Sequence, residues 1–138
     1  MIKETQNKLQ LIPKIEKYIE YMLNVILKLP RTEKFSIGTE YKLSMYKMLE
    51  NTMYISKLDN KRACLEILNK IDAELNTQRI FLRIMQKQRW IDNKKFEVAM
   101  RLIYEIGKII GGLLKYYAKD NTKWVWQKIK LWKFNGGT

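Results

Sequence analysis

Residues 60–93 read NKRACLEILNKIDAELNTQRIFLRIMQKQRWIDN, and their periodicity decides the fold. Cys64, Leu68, Ile71, Leu75, Gln78, Leu82 and Met85 recur at steps of four and three. That spacing puts them on one face of an α-helix and is incompatible with the two-residue period of a strand. Gln78 is the one polar member of the seam, and its place predicts an edge-of-core or register residue rather than a catalytic one. Upstream, residues 56–60 (SKLDN) hold turn formers, and Asp59 or Asn60 can cap the helix that follows. Downstream, residues 90–93 (WIDN) make a tight connection in which Asp92 is a good N-cap.

The same pattern extends outward in both directions. Before residue 56, Ile37, Tyr41, Met45, Met48, Thr52 and Ile55 share a face. Earlier still, Ile12, Ile15, Ile19, Met22, Ile26 and Leu29 form a seam with Pro13 read as lying near the helix start. That helix stops at Leu29-Pro30, because the residue before a proline is pushed out of the α region. After residue 93, Phe96, Met100, Ile103, Ile106, Ile110, Leu113 and Tyr117 complete a fourth stripe. Four amphipathic helices joined by short links predict an all-α protein, an up-down-up-down antiparallel four-helix bundle over residues 1–118. Residues 119–138 are set apart as a basic, aromatic-rich C-terminal tail.

Composition narrows the function. The chain has 138 residues, enough for one self-sufficient core without a metal or disulfide staple. Only Cys64 is present among cysteines, so no internal disulfide forms, and its seam position predicts a buried thiol. Residues 1–11 carry charges where a secretory signal needs an apolar run, and no run is long enough to span a bilayer. A cytoplasmic protein is expected. Histidine is absent, which removes the usual general base, the His-containing zinc sites and the Glu-x-x-His pairs of di-iron bundles. There is no Gly-rich phosphate loop. The sequence implies no cofactor, no metal and no catalytic residue; a non-enzyme is expected.

Charge points to partners instead. Lys plus Arg number 27 against 14 acidic residues, a net charge of +13, which attracts polyanions. Nucleic acid is the leading partner, ahead of an anionic membrane or an acidic protein. In the fourth segment Lys94, Arg101, Lys108 and Lys115 fall seven residues apart, so each step drifts only about 20° around the helix. In the third, Arg79, Arg83 and Lys87 step by four, with Arg89 just beyond. Antiparallel packing would bring the two rows together at their shared end. Neither row interleaves opposite charges as a merely solvated face would, which favours contact with phosphates or with a polymerase.

Two features stand apart. Gly107 and Gly111 lie one turn apart with Gly112 adjacent, each a helix-weakening residue. Their spacing suits close packing inside the bundle or a contact between subunits. Residues 119–134 (KDNTKWVWQKIKLWKF) interleave Trp124, Trp126 and Trp132 with Lys128, Lys130 and Lys133. This mixture suits nucleic-acid stacking, a membrane headgroup region, or docking on protein.

Two stretches carry a family resemblance. Residues 29–55 (LPRTEKFSIGTEYKLSMYKMLENTMYI), with the Pro-Arg pair, Phe35 and Gly38 ahead of a long helix, resemble the four-helix-bundle family. That family includes proteins encoded in intervening sequences of large-subunit rRNA and the accessory variability proteins (Avd) of diversity-generating retroelements. Residues 104–115 (YEIGKIIGGLLK) resemble the E-I-G-x-x-x-G-G pattern of the Avd branch, although Leu113 stands where an aromatic is frequent. The resemblance covers roughly residues 5–118 and does not extend to the tail. It implies a homopentamer that binds the retroelement's reverse transcriptase and its RNA, including an RNA–DNA hybrid, during mutagenic cDNA synthesis, without catalysing a step itself. The intervening-sequence branch would instead be a structural or interaction protein. A membrane-bound protein acting through the Trp/Lys tail is a further alternative, with a membrane the less expected partner.

Overall fold

The computed structural model describes residues 2–119, apart from the side chains of residues 2–7 and 9. Four long helices span Ile2–Leu27 (α1), Ile37–Ile55 (α3), Lys61–Lys87 (α4) and Asn93–Lys119 (α5), with a single helical turn, Arg31–Lys34 (α2), in the first connection. No strand occurs among the described residues. Each long helix packs on its sequence neighbours, and α1 closes the ring against α5. The directions alternate. Tyr18 meets Tyr41, Ser44 meets Glu74, Lys61 lies over Tyr116 and Lys14 pairs with Glu105, so every adjacent pair runs antiparallel. This is the all-α, up-down-up-down four-helix bundle that the periodicity predicts.

Local chemistry sets the helix ends. Asn60 caps α4 by accepting the Ala63 N–H at 3.1 Å, and Asp92 caps α5 by accepting the Lys95 N–H at 2.7 Å. Pro13 departs from expectation: it lies in the interior of α1 rather than near its start. The helix continues through it because Pro13 is solvent-exposed, where the carbonyl four residues back can turn to water. Gly38 sits where α3 starts against α1. A Cβ there would lie 2.9 Å from Ile26 Cγ2 and 3.3 Å from the Glu33 carbonyl, so a larger residue would push the two helices apart.

The seams close into one core, from Leu11, Ile15 and Met22 on α1 through Met45 and Met48, Leu68 and Leu75, to Ile103, Ile106 and Ile110 on α5. On α1 the core is wider than the sequence seam. Leu11, Tyr18 and Val25 are buried, while Ile12 stays half-exposed. Cys64 is a buried free thiol, its Sγ 3.6 Å from the Leu58 carbonyl.

Inside this apolar core runs a chain of polar groups. Gln78 is completely buried and sits between three helices. The Tyr18 hydroxyl donates to Gln78 Oε1 at 2.7 Å, and Gln78 Nε2 donates to Ser44 Oγ at 3.0 Å and approaches Met48 Sδ at 4.0 Å. The Ser44 hydroxyl in turn donates to Glu74 Oε2 at 2.5 Å. Because Tyr18's one proton goes to Gln78, Tyr41 is the donor in the short bond between the two tyrosines. No buried side-chain nitrogen or oxygen among the described residues lacks a partner. The network is therefore fully satisfied, the condition under which a buried polar group fixes register without a desolvation penalty.

Burial pushes the Tyr18 phenol well above the ordinary value of 10.0, with the neighbouring charge of Tyr41 adding to the rise. Burial likewise raises the Tyr41 phenol. The folded state thus keeps two protons that the unfolded chain surrenders above pH 10. Stability is intact below that pH and falls as pH rises through it. A Tyr18→Phe/Tyr41→Phe variant should show a weaker alkaline loss, read as the pH dependence of its urea midpoint relative to neutral pH. Separately, Gln78→Leu leaves the Tyr18 hydroxyl without its acceptor and removes Ser44's donor. Chemical denaturation should show a loss of about 1–3 kcal/mol.

Candidate functional site

The basic rows lie outside this core, on α4 and α5. Lys94, Arg101, Lys108 and Lys115 are all exposed and run along the face of α5 opposite its buried seam. Tyr104, 64% exposed, falls within this row, three residues after Arg101 and four before Lys108. On α4, Arg83 and Lys87 are exposed, but Arg79 is half-buried and behaves differently. Its guanidinium donates to Asn76 Oδ1 and lies against α5 at Gly107. Arg79 is thus a packing element as well as a cation.

That contact separates the glycines. A Cβ on Gly107 would come within 2.8 Å of Arg79 Nη2 and 3.7 Å of Leu75 Cδ2, so Gly107 lets α4 and its arginine lie close to α5. Among the described residues nothing lies within 4 Å of a Cβ at Gly111 or Gly112. Gly111 therefore shares a face with Gly107 but makes no such contact with the described residues.

The α4 row reaches the α4–α5 turn at Lys87, where its neighbour in the turn pocket is Lys95 rather than Lys94 of the α5 row. Gln86 Nε2 donates to Asn93 Oδ1 at 3.2 Å across the turn. Lys87 and Lys95 line one open pocket with Arg89 and Trp90. Tyr21 of α1 is also close. Partial burial raises its phenol, Asp92 adds to the rise and Arg101 opposes it, which places the start of α5 beside α1. A second, smaller groove lies between α1 and α5, where Lys108 neighbours Lys14 and Gly112. Lys14 and Glu105 form a 3.5 Å ion pair there; both side chains are about two-fifths exposed, so it contributes little to stability.

The tail residues Trp124, Trp126, Lys128, Lys130, Trp132 and Lys133 lie outside the described residues. Lys119, the last described, is at the opposite end of α5 from the α4–α5 turn, about 40 Å away for a helix of 27 residues. Among the described residues no group of His, Cys, Asp or Glu is arranged to hold a metal ion. No helix described is long and apolar enough to cross a membrane.

Sequence reasoning missed Tyr104 and Trp90 as surface features. Each is an aromatic that periodicity alone assigns neither to the core nor to the cation rows. Tyr104 was legible in principle, being three residues from Arg101 and four from Lys108 on a helix whose seam excludes it.

Against known families, a model described as bAvd-like matches residues 9–117, most of the chain and all four long helices. The protein belongs to the bAvd-like family. No curated protein matches it in sequence.

The open glycine gives a test of how this surface is used. Gly111→Ala should stabilise α5 by about 1 kcal/mol, because the added methyl meets none of the described residues. Thermal denaturation measures the gain, and sedimentation run alongside reports assembly. A variant that gains helix stability yet loses oligomer would place a subunit contact at Gly111.

Proposed function

We propose that this protein is a non-catalytic accessory subunit of a diversity-generating retroelement, binding the reverse transcriptase and its template RNA during mutagenic cDNA synthesis. The observation that carries the reading is the exposed row Lys94, Arg101, Lys108 and Lys115 on a chain of the bAvd-like family. Four cations spread along the outer face of one helix suit an extended polyanion better than a point ligand. Contacts of this kind give affinity without sequence choice, and leave sequence to base pairing or to the polymerase. Tyr104 adds an exposed ring between two of the cations, suited to a base or sugar beside the phosphates.

The absence of histidine supports a role in binding rather than catalysis. The homopentamer implied by the Avd resemblance is supported by exposed apolar side chains on α3 and α4. Ile80 and Ile84 lie one turn apart on α4, opposite its seam, and Leu43, Tyr46, Met53 and Tyr54 are exposed on α3. A monomer has little reason to expose so many large apolar groups on two neighbouring helices. A ring packed through α3 and α4 would leave the α5 row available to RNA. Such an assembly is consistent with a cytoplasmic site of action.

Binding of a structured RNA across a salt series tests the proposal. Affinity should fall steeply with salt, and Arg101→Glu/Lys108→Glu/Lys115→Glu should lower it by about a hundredfold or more while flattening the salt slope by about three. Co-purification with the reverse transcriptase of the proposed retroelement tests the polymerase partner. A chain that binds RNA equally well with and without the three substitutions would move the interface off α5. No RNA affinity in either form, even at low salt, would exclude the RNA role.

A further inference from the structure

The turn between α4 and α5 holds a feature that the cation rows do not explain. α4 ends with paired reverse bonds: the Trp90 N–H to the Met85 carbonyl and the Arg89 N–H to the Gln86 carbonyl, both at 2.9 Å. This helix ending requires a left-handed residue at position 89, a place usually taken by glycine. Here it is Arg89, with φ of 62°, the one non-glycine residue with positive φ among those described. An arginine is a poor choice for that backbone, so its side chain has to be accounted for.

That side chain lines an open pocket of about 730 Å3, large enough for a nucleotide. Lys87 and Lys95 line it too, and none of the three cations is paired with a carboxylate among the described residues. Asp92, the acidic group at the rim, has its Oδ1 engaged as the cap of α5. The wall is Trp90, half-buried and packed against the core, so its ring is held in place. Gln86 and Asn93 hydrogen-bond to each other there, leaving Gln86 Oε1 and Asn93 Nδ2 without partners among the described residues.

We propose that this pocket binds one unstacked nucleotide of a single-stranded RNA, with its base against Trp90 and its phosphates on Lys87, Arg89 and Lys95. Inorganic phosphate would use the cations but neither the ring nor the amides. A base within a duplex has both faces covered by its neighbours, so only a single strand, loop or bulge can present one. The amides of Gln86 and Asn93 offer an acceptor and a donor to a base edge. The proposal rests on the nucleic-acid reading above and assigns to the protein a preference for single strands that the α5 row alone would not give.

The helix ending itself supplies the test, because Arg89→Gly removes the cation while relieving the backbone. In the full chain this variant should melt at a higher temperature than the parent, yet its ratio of single-strand to duplex affinity should fall about tenfold. Fluorescence anisotropy with a labelled single-stranded RNA and the matching duplex reads that ratio. A second measurement uses the full chain with Trp124→Phe, Trp126→Phe and Trp132→Phe, which leaves Trp90 as the only tryptophan. Its emission should be quenched on adding the single strand. If Arg89→Gly leaves the ratio unchanged and Trp90 emission does not respond, the pocket assignment is overturned. The α5 reading would survive that result provided the Arg101/Lys108/Lys115 variant still loses affinity. Failure of every form to bind RNA would overturn both.

Discussion

The bundle depends on one buried chain of hydrogen bonds, from Tyr41 through Tyr18 and Gln78 to Ser44 and Glu74. It joins α1, α3 and α4 at mid-height, where the surrounding side chains are apolar and interchangeable. Leucine, isoleucine and methionine tolerate a helix sliding by a turn; a glutamine that must meet a tyrosine on one side and a serine on the other does not. The polarity of the chain is also fixed. Every proton runs toward Glu74, so one arrangement of donors satisfies all members. The network matters most between α1 and α3, which pack less extensively on each other than the other adjacent pairs do.

With the interior committed to this core, the excess of positive charge has to sit on the surface, and the topology decides where. Antiparallel packing of α4 and α5 brings Lys87 and Lys95 to one pocket and sets the exposed row of α5 on the opposite side from its seam. Gly107 adjusts the same interface, since Arg79 lies where a Cβ would be. A residue counted among the cations thus also holds two helices together. The bundle therefore presents a basic row on α5 and a basic α4–α5 turn, with exposed apolar side chains on α3 and on α4, where Ile80 and Ile84 lie one turn from Arg83 and Lys87.

The fold was legible because burial in a helical bundle imposes a 3.6-residue period that the sequence cannot hide. The α4 seam from Cys64 to Met85 is buried at every position, including Gln78. On α1 the stripe was less faithful. Ile12 was counted in and Tyr18 left out, because a helix flanked by two neighbours buries a wider arc than a single seam predicts. Pro13 was misplaced for a related reason: its cost depends on whether the carbonyl behind it reaches water, which only the packed bundle reveals.

The sequence by itself determined the helices, their boundaries at Asn60 and Asp92, the all-α class and the rows of cations, since each follows from spacing along one element. It also carried the family, through residues 29–55 and 104–115, which lie within the matched span. The tertiary structure alone decided what meets across elements. That Gln78 joins Tyr18 to Ser44, that Gly107 receives Arg79 while Gly111 meets none of the described residues, and that Arg89 and Trp90 share a pocket with Lys87 and Lys95 are relations between residues on different helices or across a turn. No periodicity encodes them. A helix's own repeat fixes which way a side chain points, but its partner depends on the depth and rotation at which the next helix packs.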